Sequence, residues 1–210
     1  FDLEEENQIF EKDGLDAYYK YQLENEDKSL KKGTGYRLVE NILKINSFFS
    51  SDERQVEVII LSKNNAATSL RITNAINDLK LDIIRSAWTS GTNISNYLKA
   101  FKVDLFLSAD DNDVLNAIEN GVAAAKILHS NENIHNSSNN QVRIAFDGDA
   151  VLFSEESELV YKNNGLDAFI EHEKLNKDNP LEMGPFAKLL LTIAKIQAKF
   201  PTDKSPIRTA

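Results

Sequence analysis

Apolar residues recur along the chain at two alternating spacings. Between Tyr36 and Phe49, Leu38, Ile42, Ile45 and Phe49 stand three and four apart, the period of a helix with one buried face. The same spacing makes Glu4 to Lys12, Asp16 to Gln22, Ala66 to Leu79, Ile94 to Ala100 and Asp111 to Asn120 helices, with Gly121 placed to stop the last of them. Val56 to Leu61 is instead a compact apolar run of strand length. Ile83 to Ala87, Val103 to Leu107, Val122 to Leu128 and Val142 to Asp147 read the same way. Strands that alternate with helices of this length predict a parallel sheet with helices on its faces.

The pattern breaks once and repeats once. From His129 to Gln141 the chain is polar, with five Asn and almost no apolar anchor, so a linker or loop is expected there. Gly14-Leu15-Asp16-Ala17 recurs as Gly165-Leu166-Asp167-Ala168, an offset of 151. At that offset 12 of the 33 positions from Gly14 to Asn46 carry identical residues, against about two expected by chance. Upstream, Phe1-Asp2 resembles Phe146-Asp147 once six residues are skipped. The expected organisation is a first α/β module over 1–128, a linker over 129–141 and the opening of a second module over 142–210. Both ends read as cuts through a longer protein, since the chain opens on Phe1 and stops at Ala210 without a capping signal.

Composition narrows the classes. With 210 residues, 41% of them hydrophobic, a sizeable core can form, and no apolar run is long enough to span a membrane. The absence of cysteine excludes disulfides and thiol chemistry and suits the cytoplasm, and no export signal is visible. A net charge of −9 argues against nucleic acid as the partner, because such a chain repels phosphates.

Chemistry concentrates at Ile144-Ala-Phe-Asp147-Gly148-Asp149-Ala-Val-Leu-Phe153. An apolar strand delivers two carboxylates to its carboxyl end, the edge at which open α/β sheets bind ligands. Period-two geometry would point Asp147 and Asp149 the same way, and Gly148 would let a ligand approach the backbone. Such a pair can hold Mg²⁺ whose shell is completed by phosphate oxygens. One carboxylate can attack phosphorus while the other shuttles a proton. A plain strand-to-turn exit and the metal-binding Asp-x-Asp of a nucleotide-sugar transferase carry the same three residues. The apolar stretch on both sides favours a site over an exposed hairpin.

The string from Phe146 to Ser154 resembles the cytosolic 5′-nucleotidase I family, among the haloacid-dehalogenase-like phosphohydrolases. So do Gly165 to Glu173, Pro180-Leu181, Gly184-Pro185, Ser205-Pro-Ile-Arg208, Tyr21 to Glu24, Leu30 to Gly33, Ile60 to Asn64 and Leu105 to Ala109. The resemblance implies a Rossmann-like parallel sheet with flanking helices, in tandem copies of which the second is incomplete here. It also implies Mg²⁺-dependent hydrolysis of nucleoside 5′-monophosphates. Asp147 would then be the nucleophile and Asp149 the acid and base, with Mg²⁺ on the Asp147 carboxylate and the Asp149 carbonyl. Counterparts of the remaining motifs in the first copy would be Ser62, Lys99 and the strand ending at Leu107. Ser108-Ala109 stand where an acidic pair belongs, with Asp110 and Asp111 displaced, and Asp2 is followed by Leu3-Glu4 rather than Gly-Asp. The first copy is therefore expected to be non-catalytic. A non-catalytic nucleotide-binding module and a sugar phosphatase of the same chemistry are the rival readings.

Other candidates are weaker. His172 between Glu171 and Glu173 suggests a solvated helix face, or nucleotide recognition from a cap segment. His129 and His135 fall in the linker. Trp88 before Thr89-Ser90-Gly91 is either a base-stacking loop or a packed aromatic, and packing is the better account. Lys31-Lys32 and the Tyr18-Tyr19-Tyr21 cluster read as surface charge and helix packing.

Overall fold

The computed structural model describes residues 1–128 and 140–210, and leaves the side chains of Asp149 and Ala150 outside that description. Most of the Asn-rich segment, with His129 and His135, therefore lies outside the described residues. In chain order the elements are α1 (Glu4–Glu24), α2 (Tyr36–Lys44), β1 (Ile59–Ser62), α3 (Leu70–Asp78), β2 (Arg85–Trp88), α4 (Ser95–Leu98) and β3 (Phe106–Ser108). There follow α5 (Asp111–Glu119), β4 (Ala124–Lys126), β5 (Val142–Ile144), α6 (Glu156–Asn176), α7 (Ala187–Gln197) and β6 (Ile207–Thr209). Among the described residues no helix is long and apolar enough to cross a membrane.

The residues gather into two compact units, Phe1–Asn96 with Ile127–Val142, and Tyr97–Lys126 with Arg143–Ala210. Modules drawn by sequence order at 128 and 142 cut the chain differently, because 97–126 packs with the later segment. Strand pairing is parallel in both units: Ile59 to Ser62 lie opposite Arg85 to Trp88, and Phe106 to Ser108 opposite Ala124 to Lys126. Among the described residues, hydrogen-bonded strands form three two-stranded sheets, β1–β2, β3–β4 and β5–β6, rather than the single sheet anticipated.

In the first unit α3 crosses from β1 to β2 and buries Ile72, Ala75 and Ile76 against Leu30, with Ile60 and Trp88 packed on that cluster. Trp88 is thus a packed aromatic, as its sequence context favoured. In the second unit α5 makes the equivalent crossover from β3 to β4. Asp110 caps it by accepting from the Asp113 N–H at 2.9 Å. Gly121, at φ +73°, ends it in a reversal closed by Gly121 N–H to Ile118 and Val122 N–H to Ala117.

The two units share a local architecture. α1 and α6 are each broken by one glycine, Gly14 at φ 83°, ψ −175° and Gly165 at φ 84°, ψ −177°. Only glycine adopts that conformation without strain. Each break folds the helix into two arms pinned by an edge-to-face ring pair: Phe10–Tyr18 at 6.0 Å and 79°, Tyr161–Phe169 at 6.1 Å and 80°. Asn25 donates to the Tyr21 carbonyl at 2.7 Å, and Asn176 to the His172 carbonyl at 3.0 Å. Asp2 N–H bonds the Lys31 carbonyl as Ser154 N–H bonds that of Glu182. A Cβ on Gly33 would strike the backbone of Phe1, and one on Gly184 the carbonyls of Val151 and Phe153. This geometry corrects one expectation. Phe1-Asp2 occupy the place of Phe153-Ser154, not of Phe146-Asp147, because the glycine crossing sets the register.

The polar interior differs. In the first unit Arg71 of α3 reaches between the arms of α1. It donates to Glu6 at 2.5 Å, to Gln22 at 3.2 Å and to the Lys28 carbonyl at 3.3 Å. Its guanidinium also lies 5.7 Å from the Tyr21 ring centre.

Candidate active site

Asp147 is placed by β5. Val142 is buried, Arg143 points to solvent, and the strand continues until Phe146 donates to the Ala210 carbonyl at 2.9 Å. Ala210 donates in turn to Ile144 at 3.1 Å. One residue bonded to two partners that flank its neighbour is the slanted ladder of a parallel pair. Asp147, still extended at φ −72°, ψ 152°, lies three residues past β5 and directly after the last backbone bond of this parallel pairing.

The backbone then turns at once. Gly148–Leu152 form a single π-helical turn closed by Phe153 N–H to the Gly148 carbonyl at 3.0 Å. Such turns are rare and frequent at functional sites. The period-two argument does not apply to Asp149, because Asp149 belongs to this turn and not to the strand. Its side chain lies outside the described residues. Gly148 is not demanded by packing: a Cβ there would meet only the Phe153 ring at 3.9 Å.

The Asp147 carboxylate is exposed and caps no N–H of the turn that follows. Among the described residues no ion pair or hydrogen bond engages it. A hard cation such as Mg²⁺ requires oxygen donors free of competing partners, and this carboxylate meets that requirement.

Residues 154–182 leave and return beside that turn. Phe153 bridges Met183 in antiparallel fashion, Gly184 N–H bonds the Leu152 carbonyl at 2.8 Å, and Phe186 N–H bonds that of Val151 at 3.0 Å. The excursion carries α6 and His172. The imidazole Nε2 is 3.3 Å from Glu156, and Nδ1 is 3.7 Å from Glu173, beyond hydrogen-bond reach. Ser157 donates to Glu173 at 2.6 Å. Glu156, His172 and Glu173 border a cavity of about 250 Å³ of which Asp147 is not a lining residue. His172 is 19% exposed, while Glu171 and Glu173 on either side of it are exposed. Folding at Gly165 brings Glu156 to it from the other arm, a partner that sequence adjacency could not reveal. The signal was the repeat, since Tyr21 and Glu5 hold the equivalent places and are bonded at 2.9 Å.

The candidates of the first copy are engaged elsewhere. Ser62 accepts from Asn64 N–H at 3.2 Å, Asp110 is a helix cap, and Asp111 pairs with Lys126 at 2.7 Å. Lys32 lies 4.2 Å over the Tyr36 ring.

An acid at the carboxyl end of a parallel strand stands at the edge where open α/β sheets bind ligands. The 5′-nucleotidase family model matches residues 1–210, and the chain belongs to that family. It is 33% identical over 217 residues to human cytosolic 5′-nucleotidase 1B, a match covering 100% of this chain and 35% of the relative. The chain thus spans about a third of that relative's length. No solved structure matches it.

Proposed function

We propose that this chain contributes the phosphoryl-accepting part of a cytoplasmic 5′-nucleotidase acting on nucleoside 5′-monophosphates. The observation that carries the reading is Asp147, an uncommitted carboxylate just past the carboxyl end of β5, followed by a tight turn. Family membership supports the substrate class. The parallel pairs and the matched geometries around Gly14 and Gly165 support a tandem of haloacid-dehalogenase-like modules. The engagement of Asp110 and Asp111 supports a non-catalytic first copy.

In this reading an Asp147 carboxylate oxygen attacks the 5′-phosphorus. The P–O bond to the ribose breaks, and the Asp149 carboxyl gives its proton to the departing oxygen. Water then attacks the aspartyl-phosphate, Asp149 takes its proton, and phosphate leaves with Asp147 restored. Mg²⁺ held by the Asp147 carboxylate and the Asp149 carbonyl would neutralise phosphate charge. Gly148, free of packing demands, keeps the backbone open to the phosphate.

The test is phosphate release from AMP, IMP and glucose phosphate, with Mg²⁺ and with chelator, in the longest natural form of the protein. Asp147→Asn is expected to lower turnover about 10³-fold or more, with loss of acid-stable labelled phosphoenzyme. Gly148→Ala is expected to lower activity while leaving the melting temperature unchanged. Retained turnover in Asp147→Asn would refute the nucleophile, and an equal rate on glucose phosphate the nucleotide substrate.

A further inference from the structure

The breaks at Gly14 and Gly165 each leave apolar side chains facing solvent. Around the first, Phe10, Leu15 and Tyr19 are 50%, 64% and 39% exposed. At the repeat offset of 151 these positions become Tyr161, Leu166 and Ile170, which are 52%, 58% and 40% exposed. Single exposed apolar side chains are ordinary on protein surfaces and call for no account. Three equivalent positions, open to the same extent in both helices, do. Only the leucines are identical; Phe10 gives way to Tyr161 and Tyr19 to Ile170, so apolar character persists where the residue has changed.

Local geometry gathers each patch. Leu15 and Tyr19 stand four apart on one face of their arm, and Phe10 of the other arm is held by its ring contact with Tyr18. Leu166, Ile170 and Tyr161 repeat this, with Phe169 holding Tyr161. With most of their surface in water, Leu15 and Leu166 add little to either core. Large side chains already fixed in place lose little freedom on docking, which suits the anchors of an interface.

Charge around the patches points to the occupant. Exposed Glu11 and Lys20 flank the first patch, and the equivalent positions of the second carry exposed Lys162 and Glu171, with both signs reversed. Set face to face with equivalent arms together, the two patches pair Glu11 with Lys162 and Lys20 with Glu171. Two copies of either patch in that arrangement would oppose like charges. The existing partners, Glu158 for Lys162 and Glu24 for Lys20, are exposed neighbours one turn away and cheap to exchange. Of the charged positions from Glu11 to Lys20, Asp16 alone keeps its sign, at Asp167; both open the second arm, where the helix dipole favours an acid.

We infer that the α1 patch of one molecule docks on the α6 patch of a second copy of this chain. The inference is independent of the chemistry of Asp147.

Sedimentation of the longest natural form of the protein, followed from about 1 to 300 μM, tests it over a span that reaches weak association. Concentration-dependent self-association is expected. Leu15→Gln and Leu166→Gln should each weaken it at least about 10-fold at unchanged melting temperature, because both leucines are exposed. Mixing these two variants in equal amounts should recover association, since each supplies the patch that the other lacks. Glu11→Lys should weaken association about 2- to 5-fold, and adding Lys162→Glu to the same chain should restore it. Should either leucine variant lose its fold, the charge reversal and its rescue decide. A protein that stays monomeric throughout overturns the inference, whether another part of the polypeptide or a different protein covers the patches. So does an effect of one leucine alone, or a mixture that associates no better than its components. Asp147→Asn should leave association as it was, whatever it does to phosphate release.

Discussion

The broken helices α1 and α6 share a backbone and differ in what fills them. Their glycines hold φ angles one degree apart, and their ring pairs agree to 0.1 Å. Inside the first, an arginine from α3 neutralises Glu6 and satisfies Gln22; inside the second, a serine and an imidazole face glutamates that remain open to water. Backbone shape here is held by a few positions that tolerate no alternative: a glycine at positive φ, a glycine under a carbonyl, two rings packed edge to face. Polar filling is held by nothing comparable and has diverged. A repeat can thus keep its frame while its interior acquires different chemistry.

The comparison can be broken most forcefully at Arg71. Arg71→Ala strands the Glu6 carboxylate in a dry interior and is expected to cost about 3–5 kcal/mol. Glu173→Gln, at the equivalent of Gln22, should stay within about 0.5 kcal/mol because that carboxylate is solvated. Urea melts of the two variants decide it, and similar losses would deny the asymmetry.

Gly14→Ala and Gly165→Ala probe the shared frame. Neither Cβ would meet an atom within 4 Å, so only the left-handed backbone is strained, and each should cost about 1–2 kcal/mol. Equal losses sharpen the equivalence; a loss at one site alone would end it.

The smallest effect concerns charge at the surface of the first unit. The Arg85 guanidinium, hydrogen-bonded to Glu57, holds that carboxyl below its ordinary value, with burial opposing weakly. A depressed folded-state value means that the stabilisation is present above the ordinary value of 4.5 and is lost as pH falls below it. Screening limits it to about 0.5 kcal/mol. Glu57→Gln should therefore flatten the acid limb of the stability curve only slightly, far less than Arg71→Ala lowers the whole.

Much of this was legible in the residues. Gly14 and Gly165 announced themselves through a shared four-residue string, Gly121 marked the stop of a helix, and Asp147 ends an apolar run. Several strand limits shifted by two or three residues, since apolar runs mark burial and ladders end where pairing ends. Arg71 was missed because a lone arginine in a helix with Leu70 and Ile72 looks like surface charge. Its partners lie 65 and 49 residues away.

By itself the sequence determined the alternation of strands and helices, the repeat, and which carboxylate stands at a strand's end, because these follow from local periodicity and from residues with unique backbone freedom. Only the tertiary structure decided that Asp149 enters a turn, that Glu156 meets His172, that Arg71 seals one broken helix, and that the other stays open. Those outcomes depend on distant segments converging, and no local pattern of residues encodes which distant group arrives.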